Sequence, residues 1–398
     1  MKILNLKSST FGGIFLLDPS TQESSGTSWQ PAASNFPALS FSSANWNYKL
    51  SGSIFLRYNH QAGLRGGNKF DAPNWFLGSA QTNIGINSQI MFRTMLSFDR
   101  LTEGGGGYPL LFQTGGTYNG LPLIDHRVPQ NLFEELSASY SYRFTHQFGA
   151  YLYLGYPGEP ALGPPNFLLR QSAMYLPDAP LGNQMQDAVH TSFGVTTLGL
   201  VYHNIKVEGS IFNGSEPDEN KFNFDRLQFN SYSGRVSFNP TKTLSLQISN
   251  GLIKNPEGNG INVTRTTASA LYTTTLFNNT NWASSFIWGE NNDNAAGRRE
   301  SFLYESTLNL KEFALYARLE FAQRTPGELG IKINSTEKDY VGAFTLGINK
   351  DLFKTSLLNV SLGVQGTYYG IPNTLKQYYG SNLASYEIYF SIQPSDLL

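Results

Sequence analysis

The chain has 398 residues, a formal net charge of −1 and no cysteine, and only 14% of its residues are charged, against about 25% in a typical soluble domain. Near-neutral charge leaves no basic footprint for nucleic acid, and the absence of Cys excludes thiolate metal sites, thiol catalysis and disulfides. No stretch approaches the roughly 18 apolar residues that a membrane helix requires, yet aromatics reach 14%, with 28 Phe and 22 Tyr.

At the N-terminus, Lys2 and Lys7 precede a short apolar run over 11–17. This resembles an export signal, but it runs into Asp18-Pro19 instead of a small-residue cleavage site. The other reading is a segment that packs in or under the fold as a tail or plug. Residues 18–45 are rich in Ser, Gly, Pro and Gln and read as loop.

From Trp46 onward, apolar and polar residues alternate with period two almost to the end. Leu244, Leu246 and Ile248 alternate with Ser245, Gln247 and Ser249, and Phe313, Leu315, Ala317, Leu319 and Phe321 with Ala314, Tyr316, Arg318 and Glu320. Successive strand side chains point to opposite faces, so each segment has one apolar and one polar face. The expected strands are 46–58, 74–79 and 84–98, then the hairpins 136–144/148–156, 193–202/205–212, 232–238/244–250, 266–276/282–288, 302–310/313–321 and 340–348/358–368, and a last strand over 384–390. Long irregular connections fall at 99–131, 157–189, 213–227, 251–262, 289–300, 322–338 and 370–382.

Short turns on one rim and long loops on the other are the asymmetry of outer-membrane barrels, where the turns are periplasmic and the loops extracellular. The expected fold is therefore all-β: an antiparallel transmembrane β-barrel of about 16 strands, or 14 if the two earliest are omitted. The expected organisation is an N-terminal segment over 1–45, the barrel over 46–391 and a tail over 392–398. The terminal alternation Tyr386, Ile388, Phe390 suits the barrel-assembly machinery.

Alternation also assigns the faces. Tyr140, Val207, Ile211, Val236, Leu246, Phe286 and Leu362 face lipid. Arg143, Lys206, Glu208, Arg235, Arg265, Glu305, Arg318 and Glu320 fall on the opposite, lumen-lining face, because charge in the bilayer zone is costly unless it meets water or its partner. A mixed-charge lumen suits weak ion selectivity; the competing reading is that these charges pair with one another and plug the barrel. The Pro/Gly-rich stretch 155–164, continuing through Pro177-Asp-Ala-Pro-Leu-Gly182 to Gln186-Asp187, cannot continue a ladder. Together with 107–114 it is expected to fold inward as a constriction, with Asp125, Arg127, Glu159, Arg170, Asp187 and His190 as its candidate residues.

The same stretch, with Gly209-Ser-Ile-Phe-Asn-Gly214, Glu216-Pro-Asp-Glu-Asn220 and Ser231-Tyr-Ser-Gly-Arg-Val-Ser-Phe-Asn-Pro240, resembles a family of poorly characterised bacterial outer-membrane, porin-like barrels across most of 46–290. That resemblance implies loop histidines, and hence copper or zinc handling, where this chain keeps only His126 and His190 and has Leu169, Asn183 and Gln184 instead. No metal site is expected. His190 and Ser192 lie two apart, but no third residue orients them, so no catalytic residue is assigned. The acidic loop Glu216, Asp218, Glu219, Asp225 lacks an EF-hand spacing.

The expected function is a porin-like channel of the bacterial outer membrane that passes small solutes or ions by passive diffusion. The alternative is a non-conducting barrel that acts through its loops as scaffold, receptor or metal-handling protein. No cofactor or nucleic acid enters either reading. The expected partners are the lipid bilayer and lipopolysaccharide, the barrel-assembly machinery, the diffusing solutes, and further copies of the chain in a homo-oligomer.

Overall fold

Each long run of alternation becomes a strand, and sixteen strands hydrogen-bond side by side into a closed antiparallel cylinder. The computed structural model describes residues 12–188, 191–277, 280–332 and 337–395. The first strands are β1 (Leu39–Ser43), β2 (Trp46–Gln61), β3 (Gly67–Asp71), β4 (Asn74–Ile84) and β5 (Ser88–Leu96). A separate hairpin follows, β6 (Tyr108–Tyr118) with β7 (Leu121–Arg127), and then β8 (Phe133–Arg143), β9 (Phe148–Gly155), β10 (Val195–Tyr202) and β11 (Ile205–Phe212). The wall continues through β12 (Ser231–Thr241), β13 (Leu244–Ile253), β14 (Val263–Thr275), β15 (Asn281–Asp293) and β16 (Gly297–Leu310). It ends with β17 (Phe313–Arg324), β18 (Asp339–Lys354), β19 (Leu358–Gly370) and β20 (Leu383–Pro394).

Closure is made by β2, whose later residues pair with β20 (Ile54↔Ile392 to His60↔Tyr386) and whose earlier ones pair with β4 (Asn47↔Gln81 to Ile54↔Asn74). Two short strands complete the seam. β1 covers the free edge of the first half of β2, and β3 extends β4 along the second half. The join between β20 and β4 is thus made through β2 and its two short partners, which closes the sheet on itself.

Register carries the two faces around the wall. One outward row runs through the pairs Leu200↔Val207, Val207↔Val236, Val236↔Ile248, Ile248↔Ala268, Ala268↔Trp288, Trp288↔Phe302 and Phe302↔Phe321. Apolar outward residues such as Val207, Ile211, Ile248, Phe286 and Leu346 are exposed, forming the belt that a bilayer covers. Inward neighbours on the same strands are buried. Where an inward tyrosine crosses the lumen wall, the partner strand supplies glycine: a β-carbon at Gly199 would sit 2.3 Å from the Tyr151 ring, and one at Gly347 2.2 Å from the Tyr316 ring. Glycine is required at these positions so that the ring can lie flat on the backbone.

Several boundaries differ from the sequence expectation, and β1 (Leu39–Ser43) lies in the stretch 18–45 that reads as loop, paired with the start of β2. The connection expected over 289–300 is only 294–296, because the β15–β16 ladder continues to Asp293↔Gly297. There the Asp293 carboxylate accepts the amides of Ala295 and Ala296 at 2.8 and 2.6 Å and closes a tight turn. Ile84 ends β4 instead of starting the next strand, and the turn is 85–87. β20 runs on to Pro394, past the expected barrel end at 391. Within the loop expected over 99–131, β6 and β7 pair as a hairpin of their own.

Candidate functional site: a filled lumen

Two stretches of chain fill the barrel below the β6–β7 hairpin, which also packs inside: Leu111 and Phe112 are buried with Ala322, Val341 and Ala343 of the wall, and Gln113 donates to the Pro180 carbonyl at 2.8 Å. Segment 12–38 lies inside near the rim of short turns, and loop 156–194 folds in from the opposite rim. Segment 12–38 is held mainly by its backbone. Arg93 donates to the carbonyls of Gly26 and Ser24 at 2.8 and 2.9 Å, Gln89 to Gly13 at 2.5 Å, Asn239 to Gln30 at 3.1 Å, and Lys206 to Thr27. Arg235 donates to the Thr27 hydroxyl at 2.8 Å. Trp29 anchors the segment: its indole N–H donates to Asp18 at 2.9 Å, and the Lys206 ammonium lies 4.7 Å over its ring. Ile14, Phe15 and Trp29 pack with Tyr151, Tyr153 and Leu162 in one apolar cluster. A vestibule of about 610 Å³ between the turns at 203–204 and 239–242 ends on Leu17, Asp18 and Gln22 of the segment.

The described residues of loop 156–194 are almost all buried, and their charges meet the wall directly. Arg170 donates to Glu305 at 2.7 Å and lies 3.4 Å from Asp187, while Arg318 donates to the other Glu305 oxygen at 3.2 Å. Glu305 has no exposed surface. Ser172 adds a hydrogen bond to Glu305 at 2.9 Å. Arg265 donates to the Asp187 carbonyl at 2.8 Å, and Glu320 accepts the Leu181 amide at 2.5 Å. A second ionic cluster joins Arg57 to Asp71, Asp178 and Glu387 at 2.7, 2.6 and 3.1 Å. Tyr389 donates to the Tyr175 carbonyl at 2.7 Å.

The two stretches interlock. Ser25 donates to Glu159 at 3.0 Å, the Asn166 amide to the Ser25 hydroxyl at 2.7 Å, Ser24 to the Leu169 carbonyl at 3.0 Å, and the Asn35 amide to Gln171 at 3.1 Å. Beside this contact lies a cavity of about 60 Å³ lined by Lys49, Arg93, Glu23, Phe36, Met91 and Leu169, among others.

Above the loop, Asp125 on β7 accepts the Phe112 amide at 2.8 Å and pairs with Arg65 at 2.8 Å; the Tyr379 hydroxyl donates to it at 3.1 Å. Arg127 is buried at the end of the same strand, beside Asp99 and Tyr108.

Among the residues singled out from sequence, Lys206, Glu208, Arg235, Arg265, Glu305, Arg318 and Glu320 are buried inside the barrel, between 0% and 7% exposed. Glu208 faces Arg235 across one ladder and Glu305 faces Arg318 across another. Arg143 lies apart from them, at the turn rim, where it donates to the Ile86 carbonyl at 2.8 Å and to Asn87 at 3.0 Å. Arg170 and Asp187 come together with Glu305; Glu159 meets the N-terminal segment; Asp125 and Arg127 sit on the outer hairpin. His190 lies outside the described residues. Arg57, Arg93 and Glu387 were not singled out from sequence although they lie on alternating strands, and their partners Asp178 and the carbonyls of Ser24 and Gly26 are on irregular chain, which no periodicity marks.

Burial shifts the acids of the two inserted stretches. It raises Glu159 to about 8 against the donation from Ser25, and Asp18 to about 8 with help from neighbouring Glu23. Asp187 is raised only to about 6, because Arg170 opposes the loss of water. Among the described residues no group of three His, Asp or Glu side chains converges as a metal site would require.

No protein-family profile and no curated protein sequence matches the chain. Solved structures do. OmpF of Salmonella typhi, determined in complex with daunomycin, superposes with a TM-score of 0.55 at 9% identity, covering 89% of this chain and 100% of that one. An anion-selective porin from Comamonas acidovorans gives 0.50 at 9% identity, covering 87% and 99%. The chain has the sixteen-stranded antiparallel barrel fold of outer-membrane porins.

Proposed function

We propose that the chain is a porin-like channel of the bacterial outer membrane, passive and specific for small solutes or ions, whose lumen is closed in this structure and opens when segment 12–38 leaves it. The observation that carries this reading is the contrast between the two inserted stretches. Loop 156–194 is continuous with β9 and β10 at both ends and is tied to the wall by buried ion pairs. Segment 12–38 leads into β1, and the wall holds it largely by donating to its carbonyls.

Withdrawal takes Glu23 away from Lys49 but leaves three other wall cations with carboxylate partners. Arg93 keeps Glu135 at 3.0 Å, and Lys206 and Arg235 keep Glu208 at 3.6 and 2.8 Å. In this reading the short turns are periplasmic, the belt meets lipid and lipopolysaccharide, the barrel-assembly machinery inserts the chain, and further copies surround it as a homo-oligomer.

A second reading has its own support. The solvent-excluded clusters around Arg57 and Glu305 suit a permanently closed barrel that works as a scaffold. Single-channel recording in a planar bilayer separates the two. The first reading expects a mostly closed level with discrete openings; a folded, heat-modifiable barrel that never conducts overturns it.

A further inference from the structure

The wall behind segment 12–38 carries more cations than carboxylates, and that excess points to the class of solute. Lys49, Arg93, Lys206 and Arg235 face the space that the segment occupies, against the wall carboxylates Glu135 and Glu208, with Glu159 contributed by the loop above. Segment 12–38 contains Asp18 and Glu23 and no Lys, Arg or His. Three charged wall side chains donate to oxygens of the segment, Arg93 to Ser24 and Gly26, Lys206 to Thr27 and Arg235 to the Thr27 hydroxyl, while Glu208 accepts from Thr27. Wall and segment are thus complementary as a donor array is to a row of partially negative oxygens.

Within the wall the pairing is incomplete. Glu208 serves both Lys206 and Arg235, Glu135 serves Arg93, and the carboxyl facing Lys49 is Glu23 of the segment itself. Taking the segment out leaves four cations to three carboxylates, Glu135 and Glu208 of the wall and Glu159 of the loop, and an excess of fixed charge of one sign on a narrow path favours the other.

Resting on the channel reading above, we propose that this path is a binding route for small oxyanions, of the carboxylate and inorganic phosphate class, and that the carbonyls of 24–27 hold the place of the anionic oxygens. Passage needs no chemistry. An anion on this path meets the N–H donors that the segment's oxygens occupy in this structure.

The test uses the full chain in a planar bilayer under a potassium chloride gradient, with inorganic phosphate added as probe. The expected reversal potential lies on the chloride side, and phosphate reduces the chloride current by occupying the path. Lys49→Gln and Lys206→Gln each move the reversal potential toward potassium and weaken the block. Lys49 is only half-buried at the wall, so its variant tests the charge without removing a core contact. Openings that prefer potassium, or that keep their selectivity and block in both variants, overturn the oxyanion route and leave the channel reading standing. A folded barrel with no openings overturns both.

Discussion

Replacing Glu305 with Leu tests whether loop 156–194 is fixed to the wall by charge. Glu305 is fully buried and accepts from Arg170 at 2.7 Å, Ser172 at 2.9 Å and Arg318 at 3.2 Å. One carboxylate therefore serves a guanidinium on the loop and one on the adjacent strand. Without it, Arg318 keeps the Asp178 carbonyl at 2.8 Å, and Arg170 keeps the Pro165 carbonyl at 2.9 Å and the more distant Asp187. Two guanidinium charges then share weaker partners in a site with no water. Removing one partner of a buried ion pair costs about 3–5 kcal/mol, and every 1.4 kcal/mol is about tenfold in an equilibrium. The docked-to-undocked ratio of the loop is expected to fall at least about a hundredfold. Proteolysis within 177–188 of detergent-folded protein reads this directly, because cleavage tracks the open population when opening is fast. Cleavage as slow as in the wild type, with the barrel folded, would refute the claim that this cluster holds the loop.

The remaining expectations follow from the same contacts. The Glu159 and Asp18 carboxyls are raised from 4.5 and 3.8 to about 8, so their protonated forms favour the docked state. That stabilisation is fully present below about pH 4 and is lost as pH rises through 8; hydrogen exchange across 12–38 should accelerate between pH 6 and 9, and Asp18→Asn with Glu159→Gln should flatten the profile. Gly347→Val drives a side chain into the Tyr316 ring, at an overpacking cost of about 1–3 kcal/mol, visible as a lower urea midpoint in detergent. Ile248→Arg places a guanidinium in the outward belt and should lower folding stability in liposomes by about 2–4 kcal/mol if it lies near the bilayer midplane; an unchanged midpoint would contradict the assignment of that face to lipid.

The barrel was legible because its wall obeys one rule. Period two in segments such as 244–250 and 313–321 marks both a strand and its lipid side, and the turns at 203–204 and 311–312 mark which strands are neighbours. Strand ends were less legible, since Glu290 and Arg299 sit in a polar stretch that reads as loop although the ladder runs through it. The filling of the lumen was the hardest part. Arg170, Asp187 and Glu305 are 135 and 118 residues apart along the chain from Glu305 to the two loop residues, and nothing local shows that they meet. Segment 12–38 has no periodicity, because it is held through carbonyls, which every sequence supplies. Trp29, an isolated large apolar residue in a Ser/Gly-rich stretch, was the signal available that the segment docks.

The central claim is that segment 12–38 gates the barrel, and a reversible tether tests it most directly. The natural chain has no cysteine, so Gly26→Cys with Glu159→Cys introduces a single pair. A β-carbon at Gly26, whose φ is +50°, would lie 2.8 Å from that of Glu159, short of the roughly 3.8 Å usual for a disulfide, so the backbone at 26 has to shift to seat the bridge. Oxidised, the segment is fastened to loop 156–194, and the bilayer current should be silent. Adding reductant to the same membrane should restore discrete openings. Equal conductance in the oxidised and reduced states, with the disulfide verified, would contradict the account.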